Sequence, residues 1–140
     1  MAYSQNLANS AKRHLRAANE LYNTASSGAH PQCKAVAGYL YGLAGELALK
    51  EIMRASGLRP LELSERRNDP FYAHFPDLKT MLQDMAQGRR AADLRKISSD
   101  SKLFQNWNTN MRYAPTNDIE IRWIELWQRQ AEDLLASMEQ

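Results

Sequence analysis

Two short stretches of the chain bring together residue types suited to work on a phosphate. The first is Arg66-Arg67-Asn68-Asp69-Pro70-Phe71-Tyr72-Ala73-His74, in which six residues separate Arg67 from His74. An arginine with a histidine can stabilise and protonate a phosphodiester during RNA cleavage. The same stretch also reads as a solvated charged loop, with His74 capping or packing at the start of the next helix. The second is Trp107, Arg112 and Tyr113, within the segment WNTNMRYAPTN. A guanidinium beside aromatic rings suits a phosphate with a stacked base. It equally suits a structural role, with Tyr113 packed and Arg112 paired to a carboxylate such as Glu46.

A third feature is Glu46 and Lys50, spaced i,i+4 with the acid first, the better orientation for an ion pair on a helix. They are the charged exceptions in a run of small and apolar residues. The expectation is a partly buried structural ion pair, in which either charge without its partner would be costly. The other two histidines, His14 and His30, read as a boundary residue and a solvated loop residue. The sequence contains no glycine-rich phosphate loop, no GxSxG and no HExxH, and its three histidines show no metal-ligand spacing. Neither a metal site nor a cofactor is expected.

Composition narrows the class. With 44% hydrophobic and 24% charged residues the chain has the profile of a globular protein rather than a disordered one. Its 140 residues suit one domain, taken as 1–140, with a modest core. A net charge of +2 makes no global case for nucleic acid, so any basic site must be a local patch. The single cysteine, Cys33, leaves no internal disulfide or cysteine-based zinc cage and fits a reducing cytoplasm. Apolar runs fall far short of the roughly 20 residues that span a bilayer. The opening MAYSQNLANSAKRHL enters an amphipathic pattern rather than a signal core. A cytoplasmic protein is expected, with no membrane contact.

These residues must be positioned by helices. Lys34 to Ala55, KAVAGYLYGLAGELALKEIMRA, has apolar residues at three- and four-residue steps. Between them lie Gly38, Gly42 and Gly45, each costing roughly 1 kcal/mol in a helix interior. Close approach of neighbouring backbones from several sides is the reason such a helix tolerates them, which places it at the centre of a bundle. A first amphipathic helix is expected over about Ser4–Thr24, a third over Pro76–Gln87 and a fourth over Ala91 to about Gln105. Ser98-Ser99-Asp100-Ser101 is a candidate break in the fourth, because such side chains compete for the helical backbone. Gly57 is placed to cap the central helix and Gly88 to end the third. The last helix is expected to start near Asn117 or Asp118 and run to about Met138, with Trp123 and Trp127 in the core. No period-2 strand appears. The reading is an all-α, up-and-down bundle of four long helices with a short accessory helix.

The order of these elements resembles the prokaryotic HEPN family. The resemblance rests on AGYLYGLAGELALKEIMR, whose Ala44-Gly45-Glu46-Leu47-Ala48-Leu49-Lys50 is similar to the A-x-E-x-A-L-K-type core of that family's second helix. His74, Asp77 and Leu78 resemble a His-Asp-Leu-like helix start, and Arg112-Tyr113 followed by Pro115 resembles an Arg-Tyr-Pro-like element. It covers roughly Ser10 to Leu135. It implies a helical bundle, frequent homodimerisation, and a role in toxin–antitoxin, immunity or defence modules, often beside a nucleotidyltransferase or toxin partner. Many members are metal-independent RNases with an Arg-x(4–6)-His motif at the final helix. Here the last helix has no histidine after Arg112, Arg122 or Arg129, and the Arg67–His74 match precedes the third helix. The reading placed first is therefore a non-catalytic HEPN-like protein that binds a partner protein. The alternatives are a metal-independent endoribonuclease using Arg67 and His74, and a nucleotide- or RNA-binding module using Arg112 and Tyr113, with Arg66 and Trp107 as further binding residues.

Overall fold

The computed structural model of the protein describes residues 4–28, 30–85 and 91–140. All regular structure among them is helical, without a strand. The α-helices are α1 (Leu7–Ser26), α2 (Cys33–Ala55), α3 (Asp77–Met85), α4 (Ala92–Ser98) and α5 (Ile121–Met138). The expected helical bundle forms, but its lengths divide differently. Three helices are long, at 20, 23 and 18 residues, while α3 has 9 and α4 only 7. The predicted end of the third helix at Gln87 and Gly88 lies outside the described residues.

Local chemistry accounts for the helix ends. Asn6 caps α1, its side chain accepting the Asn9 N–H at 3.0 Å. The α2 C-terminus closes as a Schellman motif: Leu58 N–H reaches Met53 O and Gly57 N–H reaches Arg54 O, with Gly57 at φ +101°. The fourth helix breaks where the serine run begins. Ser98 and Ser99 hydroxyls donate back to Arg95 O and Lys96 O, and the chain continues as turns that place Phe104 and Asn106 at positive φ. The last helix starts at Ile121, later than Asn117 or Asp118, because Thr116–Asp118 closes a separate 3-10 turn after Pro115.

α2 is the centre of the molecule, as its small-residue run predicts. Buried positions occur around most of its circumference, from Ala37 and Gly38 through Tyr41, Ala44 and Glu46 to Leu49, Lys50 and Met53. α1 lays Ala11, Ala18 and Ala25 into the interior. Asn19 ties the three long helices together, accepting from Tyr41 Oη at 2.7 Å and from Gln128 Nε2 at 2.8 Å. α5 contributes Ile124, Trp127, Ala131, Leu134 and Leu135. Trp127 is fully buried, whereas Trp123, expected beside it in the core, is only partly covered. A Cβ at Gly42 would overlap the indole of Trp107, and one at Gly45 would meet the ring of Phe104. These two glycines therefore admit aromatic rings against the helix backbone.

Candidate functional site

The site is built on Glu46, a carboxylate in the middle of α2 whose side chain is 3% exposed. An ionisable group so placed must find partners or become neutral. Its partners are not on its own helix. Oε1 accepts the Phe75 backbone N–H at 2.8 Å, and Oε2 lies 2.9 Å from His74 Nδ1. One carboxylate thus holds two successive residues just before α3. Phe75 is fixed further by its ring, stacked on Phe104 at 4.8 Å between centroids and edge-on to Trp107. His74 itself stands at the surface, 54% exposed. With Glu46 ionised, His74 donates its Nδ1–H and keeps Nε2 open to a bound group.

The expected Glu46–Lys50 ion pair does not close: no ion pair between them occurs among the described residues. Both groups are nonetheless buried, Lys50 at 7% exposure. The Lys50 ammonium acts at longer range, drawn by the charges of Glu46 and of Asp69. Asp69 is itself buried and accepts the backbone N–H groups of Leu61 at 2.8 Å and Phe71 at 3.0 Å. Two carboxylates therefore take three amides of the irregular segment 58–75, with Lys50 as their shared counter-charge. Burial pushes the Glu46 carboxyl up from its ordinary value, opposed by the His74 hydrogen bond, the Lys50 charge and the Phe75 amide. Burial likewise pulls the Lys50 ammonium down, opposed by Glu46 and Asp69.

In front of His74 lies a cleft of about 480 Å³. Arg66 and Arg67 reach it from the 3-10 turn Leu63–Asn68, and Asn108, Thr109 and Asn110 close the other side. The structure thus brings the sequence-predicted Arg66, Arg67 and His74 to one place. Neither arginine enters an ion pair among the described residues. Asp77, in the first turn of α3, also lines the cleft. Two guanidinium groups and an oriented imidazole can hold a phosphate and move a proton at one of its ester oxygens.

The second predicted cluster divides. Trp107, placed in the sequence reading with Arg112 and Tyr113 as a binding residue, is core. It is 2% exposed, its Nε1–H donates to Gly38 O at 3.2 Å, and its ring is stacked on Tyr39 at 5.4 Å. The correction follows from Gly42, whose missing side chain opens the slot that the indole fills. Arg112 and Tyr113 remain at the surface. Arg112 does not pair with Glu46; its Nε–H donates to Thr109 O at 3.0 Å, and its guanidinium lies 5.9 Å from the Tyr39 centroid and 5.2 Å from that of Tyr113. His14 is partly buried with Nδ1 2.7 Å from Ser10 O, and His30 is exposed, both as expected.

Sequence reasoning missed three participants: Tyr39, Asp69 and the Asn108–Asn110 wall. A usable signal existed for one feature, since a carboxylate among alanines and glycines on a buried helix demands hydrogen-bond donors from elsewhere. Among the described residues no helix is long and apolar enough to cross a membrane, and no group of three or more metal-ligating side chains occurs. Comparison with known proteins finds no family model, no curated protein and no solved structure that matches the chain.

Proposed function

We propose that this protein is a HEPN-like, metal-independent RNA-cleaving module whose working group is His74. The observation that carries the reading is the buried Glu46 carboxylate behind His74, 2.9 Å from Nδ1. RNA brings its own nucleophile, so one oriented base and a cationic cradle suffice. His74 Nε2 takes the 2′-hydroxyl proton as that oxygen bonds to phosphorus. The bond from phosphorus to the 5′-oxygen breaks, and this oxygen takes a proton from solvent. Arg66 and Arg67 hold the charge on the non-bridging oxygens. Glu46 is a positioning residue: it fixes the ring and the tautomer that leaves Nε2 unprotonated. The reading is placed above the non-catalytic one because His74, held from behind by Glu46, lines the same cleft as Arg66 and Arg67, an arrangement that satisfying Glu46 alone does not require.

Incubation with total RNA and tRNA in the presence of a chelator tests this. Wild type is expected to produce fragments ending in 2′,3′-cyclic phosphate, with activity lost in His74→Ala and Arg67→Ala and reduced in Glu46→Gln. Intact RNA, or cleavage unchanged in His74→Ala, rejects the proposal.

A second observation favours the partner-binding reading. A groove of about 710 Å³ lies between the first turns of α2 and α5, lined by Ala35, Ile119, Ile121 and Ile124 among others. Ile121 and Val36 are each about half exposed. Apolar surface of this kind suits a protein partner, such as the nucleotidyltransferase or toxin that the HEPN resemblance implies, or a second copy of the chain. On either reading the setting is a cytoplasmic toxin–antitoxin, immunity or defence module. If RNA stays intact, co-purification through this groove becomes the leading function.

A further inference from the structure

We infer that the exposed turn beside the His74 cleft is a stacking platform for an unpaired nucleobase, with Tyr113 as the platform and Arg112 as its cation. The inference rests on reading the cleft as a phosphate site and names what else on the strand is recognised. Tyr113 is 79% exposed, the most exposed aromatic residue among the described ones. Its phenol makes no hydrogen bond among those residues, and its ring faces the Arg112 guanidinium.

The ground beneath it is packed and hydrogen-bonded. The guanidinium of Arg112 lies within 6 Å of both the Tyr113 and the Tyr39 ring centroids, at 5.2 and 5.9 Å. Tyr39 in turn lies flat on Trp107, the two rings 6° from parallel, and Trp107 is anchored to the α2 backbone through Gly38 O. Arg112 is also held by Thr109 O. A guanidinium set between aromatic faces, with no carboxylate partner among the described residues, leaves its charge available to an incoming anion.

Continuity with the cleft gives the platform its meaning. Thr109–Tyr113 is one 3-10 turn, and Asn108 opens it by accepting the Asn110 N–H at 2.9 Å. Asn108, Thr109 and Asn110 line the His74 cleft. At about 2 Å of rise per residue, Tyr113 lies about 8 Å along the turn from Thr109. The turn that walls the cleft at Thr109 carries Tyr113 at its other end, and the inference is that a strand held by its phosphate at Arg66 and Arg67 sets a neighbouring base there. Stacking tolerates any base but requires that it be unpaired. The ligand class is single-stranded nucleic acid, favoured over duplex.

The probe is a short, fluorescently labelled single-stranded DNA, which lacks the 2′-hydroxyl and is not cut by the proposed chemistry. It is compared by anisotropy with an abasic strand of the same length and with the annealed duplex. Wild type is expected to bind the base-bearing strand about tenfold tighter than either. Tyr113→Ala, a surface change, is expected to erase that preference. Equal binding of the abasic strand, or a preference untouched by Tyr113→Ala, overturns the inference. Intact RNA with the base preference present removes the cleavage reading and leaves the platform; cleavage without the preference removes the platform alone.

Discussion

Removing the Glu46 side chain breaks two things at once. In Glu46→Ala the Phe75 N–H, now paired with Oε1 at 2.8 Å in the interior, loses its acceptor. An unsatisfied buried donor costs about 1–3 kcal/mol. The same change strips the buried Lys50 of one of its two counter-charges, leaving Asp69. Deleting one partner of a buried charge arrangement costs about 3–5 kcal/mol. The two effects overlap, since both report the polar centre of one segment, so the expected loss is about 3–5 kcal/mol in all. For a chain of this length that lowers Tm by on the order of 10 °C. Glu46→Gln keeps an oxygen for the Phe75 amide and is free of the burial cost that raises the Glu46 carboxyl, so its expected loss is only about 1 kcal/mol, left by the stranded Lys50 charge. Adding Lys50→Met to Glu46→Gln removes the stranded ammonium and is expected to restore most of that loss. Urea unfolding followed by tryptophan emission reads all three. A Glu46→Ala protein within about 0.5 kcal/mol of wild type, the range of ordinary surface changes, would refute the reasoning.

Two further outcomes follow from the same geometry. Gly42→Ala is expected to destabilise by about 1–3 kcal/mol through overpacking, despite the better helix propensity of alanine, because Trp107 is held by Gly38 O and stacked on Tyr39 and cannot withdraw; a more stable variant in the same urea titration contradicts the packing described. Stability should also depend on pH in opposite senses at the two buried charges. Glu46, raised above its ordinary 4.5, binds its proton more readily in the fold, so its contribution is full below that pH and is lost as pH rises through the folded value. Lys50, lowered from 10.5, contributes stability above that pH that is lost as pH falls through its folded value. Unfolding free energies measured across pH should show the first slope flattened in Glu46→Gln and the second in Lys50→Met, and unchanged slopes would reject the assignment.

Much of the scaffold was legible in the amino-acid order because it depends on local chemistry. The small residues of α2 mark a helix approached from several sides, and Gly42 and Gly45 do receive the rings of Trp107 and Phe104. Gly57 supplies the positive φ that closes α2, and the serine run at Ser98 ends α4. Arg66, Arg67 and His74 stand near one another in sequence, so a single compact segment carries them to one cleft.

Partner choice across the fold was not legible. The i,i+4 rule assigns Glu46 to Lys50, and on a solvated helix that pairing would stand. In the interior a carboxylate gains more from short, directional hydrogen bonds to an otherwise orphaned amide and to an imidazole than from an ammonium one turn away. Only the packing of segment 58–75 against α2 brings Phe75 and His74 within reach. Trp107 sits among asparagines and reads as a binding residue beside Arg112 and Tyr113, yet the gap at Gly42, on another helix far earlier in the chain, decides that it is core. Local patterns determine which segments are helical and which face is apolar, because those depend on neighbours three and four residues away. Which buried charge meets which donor, and which aromatic ring stays at the surface, depends on atoms that only the tertiary structure brings together.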